Sequence, residues 1–177
     1  MNLMIRKMAL DDVPAVAALD QMSFSLPWPE RSFRYELTDN PASRCWVVEG
    51  DGRIVGMIVT WLFVDEAHIA TLATHPDFRR RGIARKLLTH ALRALMNEGA
   101  ASSFLEVRES NLAAQEMYRG FGFEVIGRRK RYYKDNDEDA ILMALESLSG
   151  LKDNWAMLPS RAPRERSDAG TQADKAG

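Results

Sequence analysis

The sequence lacks several features that would place it in a specialised class of protein. It has a single cysteine, Cys45, in 177 residues, which excludes a framework of intramolecular disulfides and a cysteine-rich metal site. Its three histidines show no metal-ligand spacing with carboxylates or with this cysteine. The formal net charge is -1, so the bulk charge attracts neither nucleic acid nor a membrane surface. We therefore expect no metal and neither of these partners.

Long apolar segments are missing as well. No apolar run reaches the roughly 20 residues that a membrane-spanning helix needs. The first residues, MNLMIRK, lack the apolar core of a secretion signal, and we therefore expect a cytoplasmic protein. The remaining composition, 46% hydrophobic and 28% charged, is ordinary for a globular protein, and the length suits one domain with a substantial core.

Periodicity and turn signals predict a mixed α/β chain. Asp-Gly at 51–52 joins two β-branched runs, which predicts a hairpin, and a third strand follows over 67–74. Residues 83–97 place alanines and leucines on one helical face. This helix makes a crossover, so the strands on either side of it can lie parallel. Further strands are expected near 2–7, 104–107, 123–127 and 140–145, and further helices near 13–19, 30–38 and 112–119.

The regular pattern ends after Leu148. Residues 149–177 are rich in Pro, Ser, Ala, Gly and mixed charges, which is typical of a flexible or disordered tail. Within this tail, Trp155 and Leu158 are candidate anchors on the domain or on a partner. We therefore predict one domain over 1–148, followed by a tail over 149–177.

A strand, a basic turn and a helix start make up the most informative segment, residues 65–92. Backbone N–H groups in the first turn of a helix have no intrahelical partner, and together with the helix dipole they favour a phosphate. Gly82 would let the backbone approach such a ligand closely. A solvated basic turn with a glycine for geometry fits the spacing equally well. The arginines that could contact phosphate oxygens are Arg79, Arg80, Arg81 and Arg85.

Longer segments resemble a known family. HPDFRRRGIARKLL is similar to the acetyl-CoA motif of the GCN5-related N-acetyltransferases, although Ala84 stands where many members have a second glycine. FLEVRESNLAAQEMYRGFGFEVIG resembles the second half of their fold. DEAHIATLA, LEVRESN and RYYKDNDEDAILMAL resemble, more narrowly, the ribosomal-protein alanine N-acetyltransferases (the RimI type). The resemblance covers about 3–147 and implies a central mixed, twisted sheet of six or seven strands, with helices on both faces and a splay at an acetyl-CoA site.

The resemblance also implies where acetyl-CoA, the co-substrate, would bind. Its pyrophosphate is expected on the basic turn, and its pantetheine arm is expected to pair like an extra strand with the strand before that turn. Such pairing requires a strand with one unpaired edge. Asn111 is expected to contact the arm, while a plain helix N-cap is the alternative, and both can hold. The implied cofactor-binding residues are Leu72, Ala73, Thr74, Arg79, Arg80, Arg81, Gly82, Ile83, Ala84, Arg85, Asn111 and Tyr118.

Acetylation of an amine requires two proton transfers. An α-ammonium group, with a pKa of about 8, must lose a proton before the amine attacks the thioester, and the departing thiolate must gain one. By resemblance, Glu106 is the base, acting through a water, and Tyr118 is the acid. The alternatives are a strand glutamate in a salt bridge with Arg108 and a core tyrosine with a satisfied hydroxyl. Direct attack needs no covalent enzyme intermediate, so Cys45 is interpreted as a buried strand thiol.

Aromatic side chains are the candidates for an acceptor groove. By resemblance, Tyr132 and Tyr133 contact the backbone of a peptide substrate, with simple packing as the alternative. Trp28 lies in a loop with two prolines and would either form the opposite wall or pack as a lid on the core. His68 belongs to the strand that lines the site and is a further substrate-binding candidate.

Together the motifs predict an acetyl-CoA-dependent N-α-acetyltransferase that acts on the N-terminal amine of a protein. The first candidate substrate is the N-terminal alanine of a small-subunit ribosomal protein. The same fold also serves lysine side chains and small-molecule amines, so these remain alternatives. A coenzyme A-binding adaptor without catalysis is a third possibility, against which the presence of both Glu106 and Tyr118 argues.

Overall fold

A central mixed sheet organises the chain in a computed structural model, which describes residues 2–149, 151 and 171–172. Seven strands form the sheet, and a short eighth strand pairs with one of them. The strands are β1 (Leu3–Lys7), β2 (Ser43–Gly50), β3 (Arg53–Phe63), β4 (Glu66–Thr74), β5 (Ser102–Arg108), β6 (Glu124–Tyr133), β7 (Glu138–Leu145) and β8 (Thr171–Gln172); the helices are α1 (Val13–Ser23), α2 (Glu30–Thr38), α3 (Ile83–Asn97) and α4 (Leu112–Gly120).

The strand order is β1-β2-β3-β4-β5-β7-β6, with β8 beside β4. Strands β1 to β4 form an antiparallel meander, β4 and β5 are parallel, and β7 runs antiparallel to both β5 and β6. Helix α3 makes the crossover between β4 and β5, as its position in the sequence predicts. The predicted mixed α/β fold, with helices on both faces of a splayed sheet, is confirmed.

Most predicted elements lie where the periodicity places them. Helices α2 and α3 have the predicted bounds, and the predicted hairpin turns at Asp51 and Gly52, which both have positive φ angles (51° and 77°). Helix α1 continues to Ser23, beyond the expected end near residue 19. Strand β6 continues past the expected end near residue 127 as far as Tyr133, and its pairing with β7 shifts register between Val125 and Gly127 and again between Arg129 and Tyr133.

Two apolar clusters hold the helices against opposite faces of the sheet. Helices α3 and α4 pack on one face through residues such as Leu87, Leu88 and Met117. Helices α1 and α2 pack on the other face through residues such as Val16 and Phe33. Burial of apolar area at about 25 cal/mol per Å² is the main stabilising contribution of such clusters. The site-bearing strands β4 and β5 are thus fixed between two helical layers.

The start of α3 is pressed closely against the sheet. A Cβ atom added at Gly56 in β3 would lie 2.8 Å from Cγ2 of Ile83 and 3.1 Å from Cδ1 of Leu87. A larger residue at position 56 would therefore displace the first turn of α3. This contact fixes the helix N-terminus at the end of β4.

Beyond β7, the residues that the structure describes contact the domain. Leu148 and Leu151 are buried in the same apolar cluster as α3, so packing extends slightly past the predicted boundary at 148. Thr171 and Gln172 form β8 within the segment where the sequence predicts no regular structure. The candidate anchors Trp155 and Leu158 lie outside the described residues. In the part of the chain that the structure describes, no helix is long and apolar enough to span a membrane.

Candidate active site

Strands β4 and β5 separate partway along their length. Their pairing comprises Glu66 with Ser102, Ala67 with Ser103, and His68 with Phe104. Beyond His68, residues 69–74 of β4 lie outside this pairing, while β5 continues along β7 as far as Arg108. A wedge-shaped cleft therefore opens in the sheet, as the sequence predicts.

The edge of β4 within this cleft offers polar groups to a partner. Strand β8 pairs antiparallel with it, Gln172 opposite Thr71 and Thr171 opposite Leu72, which shows that the edge accepts an extended chain. Among the described residues, the hydroxyl groups of Thr71 and Thr74 are buried without a hydrogen-bond partner. Buried polar groups are normally satisfied, so such groups mark a surface built for a ligand. This edge can therefore pair with a further extended chain that carries amide groups.

The basic turn lies directly at the end of β4. A short 3₁₀ turn over Pro76–Phe78 precedes it, and Gly82 then caps α3 in the left-handed conformation, with φ of 74°. Arg80 also has positive φ (62°), and such alternation directs successive backbone N–H groups to one side. The first turn of α3 adds further N–H groups and the positive end of the helix dipole. The turn thus has the properties of an anion site.

The arginines of the turn point in different directions. The guanidinium of Arg79 folds back to the carbonyl oxygen of Thr74, with Nε 3.4 Å away. Arg81 lies over the ring of Phe78, with the guanidinium carbon 5.1 Å from the ring centroid. Arg80 and Arg85 are exposed. Arg81 is exposed as well, so three arginines can meet phosphate oxygens, whereas Arg79 is half-buried against the end of β4.

Glu106 lies at the point where the cleft begins. It belongs to β5 and is 1% exposed. His68 Nε2 is 3.2 Å from Glu106 Oε2, and Arg129 Nη2 is 3.8 Å from Glu106 Oε1. The buried carboxylate thus has a polar side chain near each of its oxygens. Arg108, the salt-bridge partner of Glu106 in the alternative to the base role, forms ion pairs with Asp135 and Glu138.

Helix α4 carries the other two implied cofactor contacts. Asn111 is its N-cap and accepts a hydrogen bond from the backbone N–H of Ala114 at 3.2 Å, so the predicted capping role is confirmed. Tyr118 is fully buried on the inner face of α4, and its ring packs edge-on against Phe123 at 5.5 Å between centroids. The structure thus places Tyr118 in the core layer that faces the sheet.

The aromatic candidates form two groups. The rings of Tyr132 and Tyr133 are perpendicular, 5.2 Å apart, and stand beside Arg129 and Arg108 respectively. Burial raises the pKa of Tyr133, which keeps its hydroxyl protonated. Trp28 packs against Phe33, 5.4 Å between centroids, on the opposite helical layer. Its backbone N–H donates to Asp20 Oδ2 at 2.6 Å, which fixes the loop between α1 and α2.

Arg108 is a functional-site candidate that the sequence reasoning missed. Its guanidinium contacts Asp135 and Glu138 at 3.0 and 3.3 Å and lies 4.0 Å above the ring of Tyr133. It also donates to Ser25 Oγ at 3.2 Å, and Ser25 donates to Asp135. Arg108 thereby joins the α1–α2 loop to the β6–β7 turn across the end of the cleft. The four partners are distant in sequence, so local pattern carries no signal for this arrangement.

Comparison with known proteins identifies the class to which this fold and cleft belong. The family model "Acetyltransferase (GNAT) family" matches residues 13–123. The chain belongs to the GNAT acetyltransferase family, whose members use acetyl-CoA as donor, and the resemblance noted in the sequence is confirmed.

Individual relatives narrow the comparison. The chain is 37% identical over 139 residues to a protein of Bacillus subtilis (strain 168) provisionally named a ribosomal protein bS18-alanine N-acetyltransferase, covering 78% of this chain and 92% of the relative. The crystal structure of the ribosomal-protein-S18-alanine N-acetyltransferase from Escherichia coli superposes with a TM-score of 0.76 at 33% identity, covering 84% and 97%. The NatC complex bound to Gag peptide and CoA matches with a TM-score of 0.73 at 25% identity, covering 82% and 99%.

Proposed function

We propose that this protein transfers the acetyl group of acetyl-CoA to the N-terminal α-amine of another protein, and that an N-terminal alanine of a small-subunit ribosomal protein is its first candidate substrate. The observation that carries the proposal is the buried carboxylate of Glu106 at the point where β4 and β5 separate. The names of the relatives from Bacillus subtilis and Escherichia coli support the choice of acceptor.

The donor would lie along β4 and across the start of α3. The edge at Leu72, Ala73 and Thr74 would pair with the amides of its pantetheine arm, and the hydroxyls of Thr71 and Thr74 are available to the same ligand. The backbone from Arg79 to Arg85 would hold its pyrophosphate, with Gly82 giving close approach. Asn111 and Tyr118 would contact the arm from α4. When bound, acetyl-CoA supplies the activated thioester.

Glu106 and Tyr118 would carry the two proton transfers. Glu106, through a water, accepts the proton that the ammonium group of the acceptor must lose before the amine can attack. Tyr118 donates its hydroxyl proton to the departing sulfur. The N–C bond forms as the C–S bond breaks, and neither step needs a covalent link to the protein.

The acceptor would enter between the two aromatic groups. Tyr132 and Tyr133 would contact the first residues of the peptide, and the loop of Trp28 would face them. Arg108 ties these two sides together through Ser25 and Asp135. The surrounding carboxylates of Asp135, Asp137 and Asp139 would favour a basic peptide by charge complementarity.

Mass spectrometry of a matched peptide set tests this proposal. One peptide begins with alanine and contains an internal lysine, and its control has the same sequence with a formylated N-terminus. With acetyl-CoA, we expect one acetyl group on the α-nitrogen of the first peptide and none on its control. Acetylation of the control peptide would show that the acceptor is a lysine side chain. If spermidine, added as a third substrate, were the only one acetylated, the acceptor would be a small-molecule amine. Thiol release without any acetylated amine would contradict all of these acceptors.

A further inference from the structure

His68 occupies the last paired position before β4 and β5 separate. It stands opposite Phe104 in the register and is 9% exposed. Its Nε2 atom is 3.2 Å from Oε2 of Glu106, which belongs to the neighbouring strand. The histidine therefore meets the carboxylate at the origin of the cleft, where the proposed proton transfer takes place.

The imidazole ring is held from both sides. The indole of Trp61 meets it edge-on with 5.0 Å between centroids, and the ring of Phe104 lies 5.3 Å away. Trp61 is fixed in turn, because its Nε1–H donates to Glu36 Oε2 at 2.9 Å. Asn40 donates to the same oxygen at 3.0 Å. This chain of contacts leads from α2, across the sheet, to the histidine, so the ring has a defined orientation.

The two oxygens of Glu106 face different surroundings. Oε2 faces buried His68, and Oε1 faces Arg129, whose side chain is half-exposed. Oε1 thus lies on the side of the carboxylate toward the exposed side chain of Arg129. A hydrogen bond from His68 to Oε2 would hold the carboxylate with this second oxygen directed outward.

We propose that His68 is a positioning residue for Glu106, donating a hydrogen bond from Nε2–H to Oε2 and presenting Oε1 to the water that takes the proton of the acceptor amine. This role rests on the proposed function, in which Glu106 is the base. In this role His68 works on Glu106 and not on the reacting atoms. It acts by fixing the direction of another side chain, which is how catalytic groups are held in productive geometry.

The imidazole resonances of His68 test the hydrogen bond without reference to activity. Long-range ¹H–¹⁵N spectra distinguish a protonated Nε2 from a protonated Nδ1. We expect a protonated Nε2 whose signal shifts in the Glu106→Gln variant and stays unchanged in Glu109→Gln. An unprotonated Nε2 facing Glu106 would overturn the proposal, whether or not the protein acetylates any peptide.

Steady-state kinetics of a double-mutant cycle test whether His68 contributes to kcat through Glu106. His68→Phe keeps an aromatic ring but removes the donor, and we expect kcat to fall about 10- to 100-fold with little change in the KM for acetyl-CoA. His68→Gln keeps an N–H donor and should retain kcat within about threefold. His90→Phe, at an exposed position on α3, is the matched control and should leave kcat and KM unchanged.

The double-mutant cycle compares the effect of His68→Phe on kcat in the unmodified protein and in the Glu106→Gln variant. If His68 acts through Glu106, adding His68→Phe to Glu106→Gln produces no further loss. Independent, multiplicative losses would overturn the proposal. Equal losses in His68→Phe and His68→Gln, with melting temperatures like that of the unmodified protein, would also overturn it. Absence of acetylation by the unmodified protein would instead refute the proposed function.

Discussion

Glu106 combines deep burial with two cationic or donor neighbours, His68 and Arg129. Tyr118 is fully buried in the core layer between α4 and the sheet. The proposed function assigns one proton transfer to each of these two side chains.

Glu106→Gln and Tyr118→Phe should each lower kcat by about 10²- to 10⁴-fold, because each removes one proton-transfer group. Neither change should alter the dissociation constant for acetyl-CoA more than slightly, which calorimetry can measure. Glu109→Gln is the control, since Glu109 is an exposed carboxylate three residues along the chain, paired with Arg128. An unaltered kcat in either variant would remove the corresponding role.

Cys45 should be unreactive in the folded protein. Burial raises the pKa of its thiol to about 12, so the thiol stays protonated at neutral and mildly alkaline pH. We expect no reaction with Ellman's reagent at pH 8 until denaturant is added, and then one thiol per chain. Thiol released during turnover can therefore be followed with this reagent free of protein background. Fast stoichiometric labelling of the folded chain would contradict the burial of Cys45.

At the scale of elements, helix α3 depends on the backbone conformation at its cap. Gly82→Ala forces a side chain into the left-handed region, which costs about 1 kcal/mol, although the added Cβ meets no neighbouring atom. We expect a lower melting temperature together with a raised KM for acetyl-CoA. Gly120→Ala is the matched control, because position 120 is open and helical, and it should affect neither quantity adversely.

The ion pair between Arg6 and Asp12, which joins β1 to the start of α1, should contribute less to the free energy of unfolding at acid pH. Arg6 donates two hydrogen bonds to Asp12, at 2.7 and 2.9 Å, and this contact holds the pKa of Asp12 below its usual value. A lowered folded pKa contributes stability above the unfolded value of about 3.9 and loses it as the pH falls through the folded value.

Asp12→Asn should therefore cost about 1 kcal/mol at pH 7, with the partial exposure of Arg6 limiting the amount. The difference from the unmodified protein should shrink steadily below about pH 4. Urea denaturation at a series of pH values measures it. Asp11→Asn, at the exposed neighbouring position, should show no such dependence, and a pH-independent loss in Asp12→Asn would contradict the role of the charge.

Elements were largely predictable from the sequence because their signals are local. The helical face of α3 and the turn at Asp51 and Gly52 are set by residues within a few positions of one another. The two register shifts of β6 against β7 were not predictable, since they depend on how the strand meets its partner. The candidate site was predictable to the same extent. The basic turn is a contiguous motif and could be predicted, whereas the contacts of Arg108, and of His68 with Glu106, join positions far apart in the chain and could not.

At the scale of the whole molecule, β8 and the proposed donor use the same edge of β4. Replacing both Thr171 and Gln172 by proline removes the backbone N–H groups of this strand, so it can no longer donate to β4. We expect tighter binding of acetyl-CoA, with a severalfold lower dissociation constant by calorimetry. The control replaces both residues by alanine, which keeps the N–H groups. Equal affinities in the proline variant and the unmodified protein would contradict competition for this edge.

The short pairing between β4 and β5 affects the stability of the whole sheet. Three residue pairs join a block of strands β1–β4 to a block of strands β5–β7, and helix α3 spans between them. A donor lying along β4 would add main-chain hydrogen bonds at this junction, and its binding free energy would count toward folding. At a concentration 100-fold above its dissociation constant, that contribution is about 2.7 kcal/mol. The folded protein would then be more stable in a cell rich in acetyl-CoA than in a cell with little of it. The supply of acetyl-CoA would therefore affect the lifetime of the protein as well as its rate of acetylation.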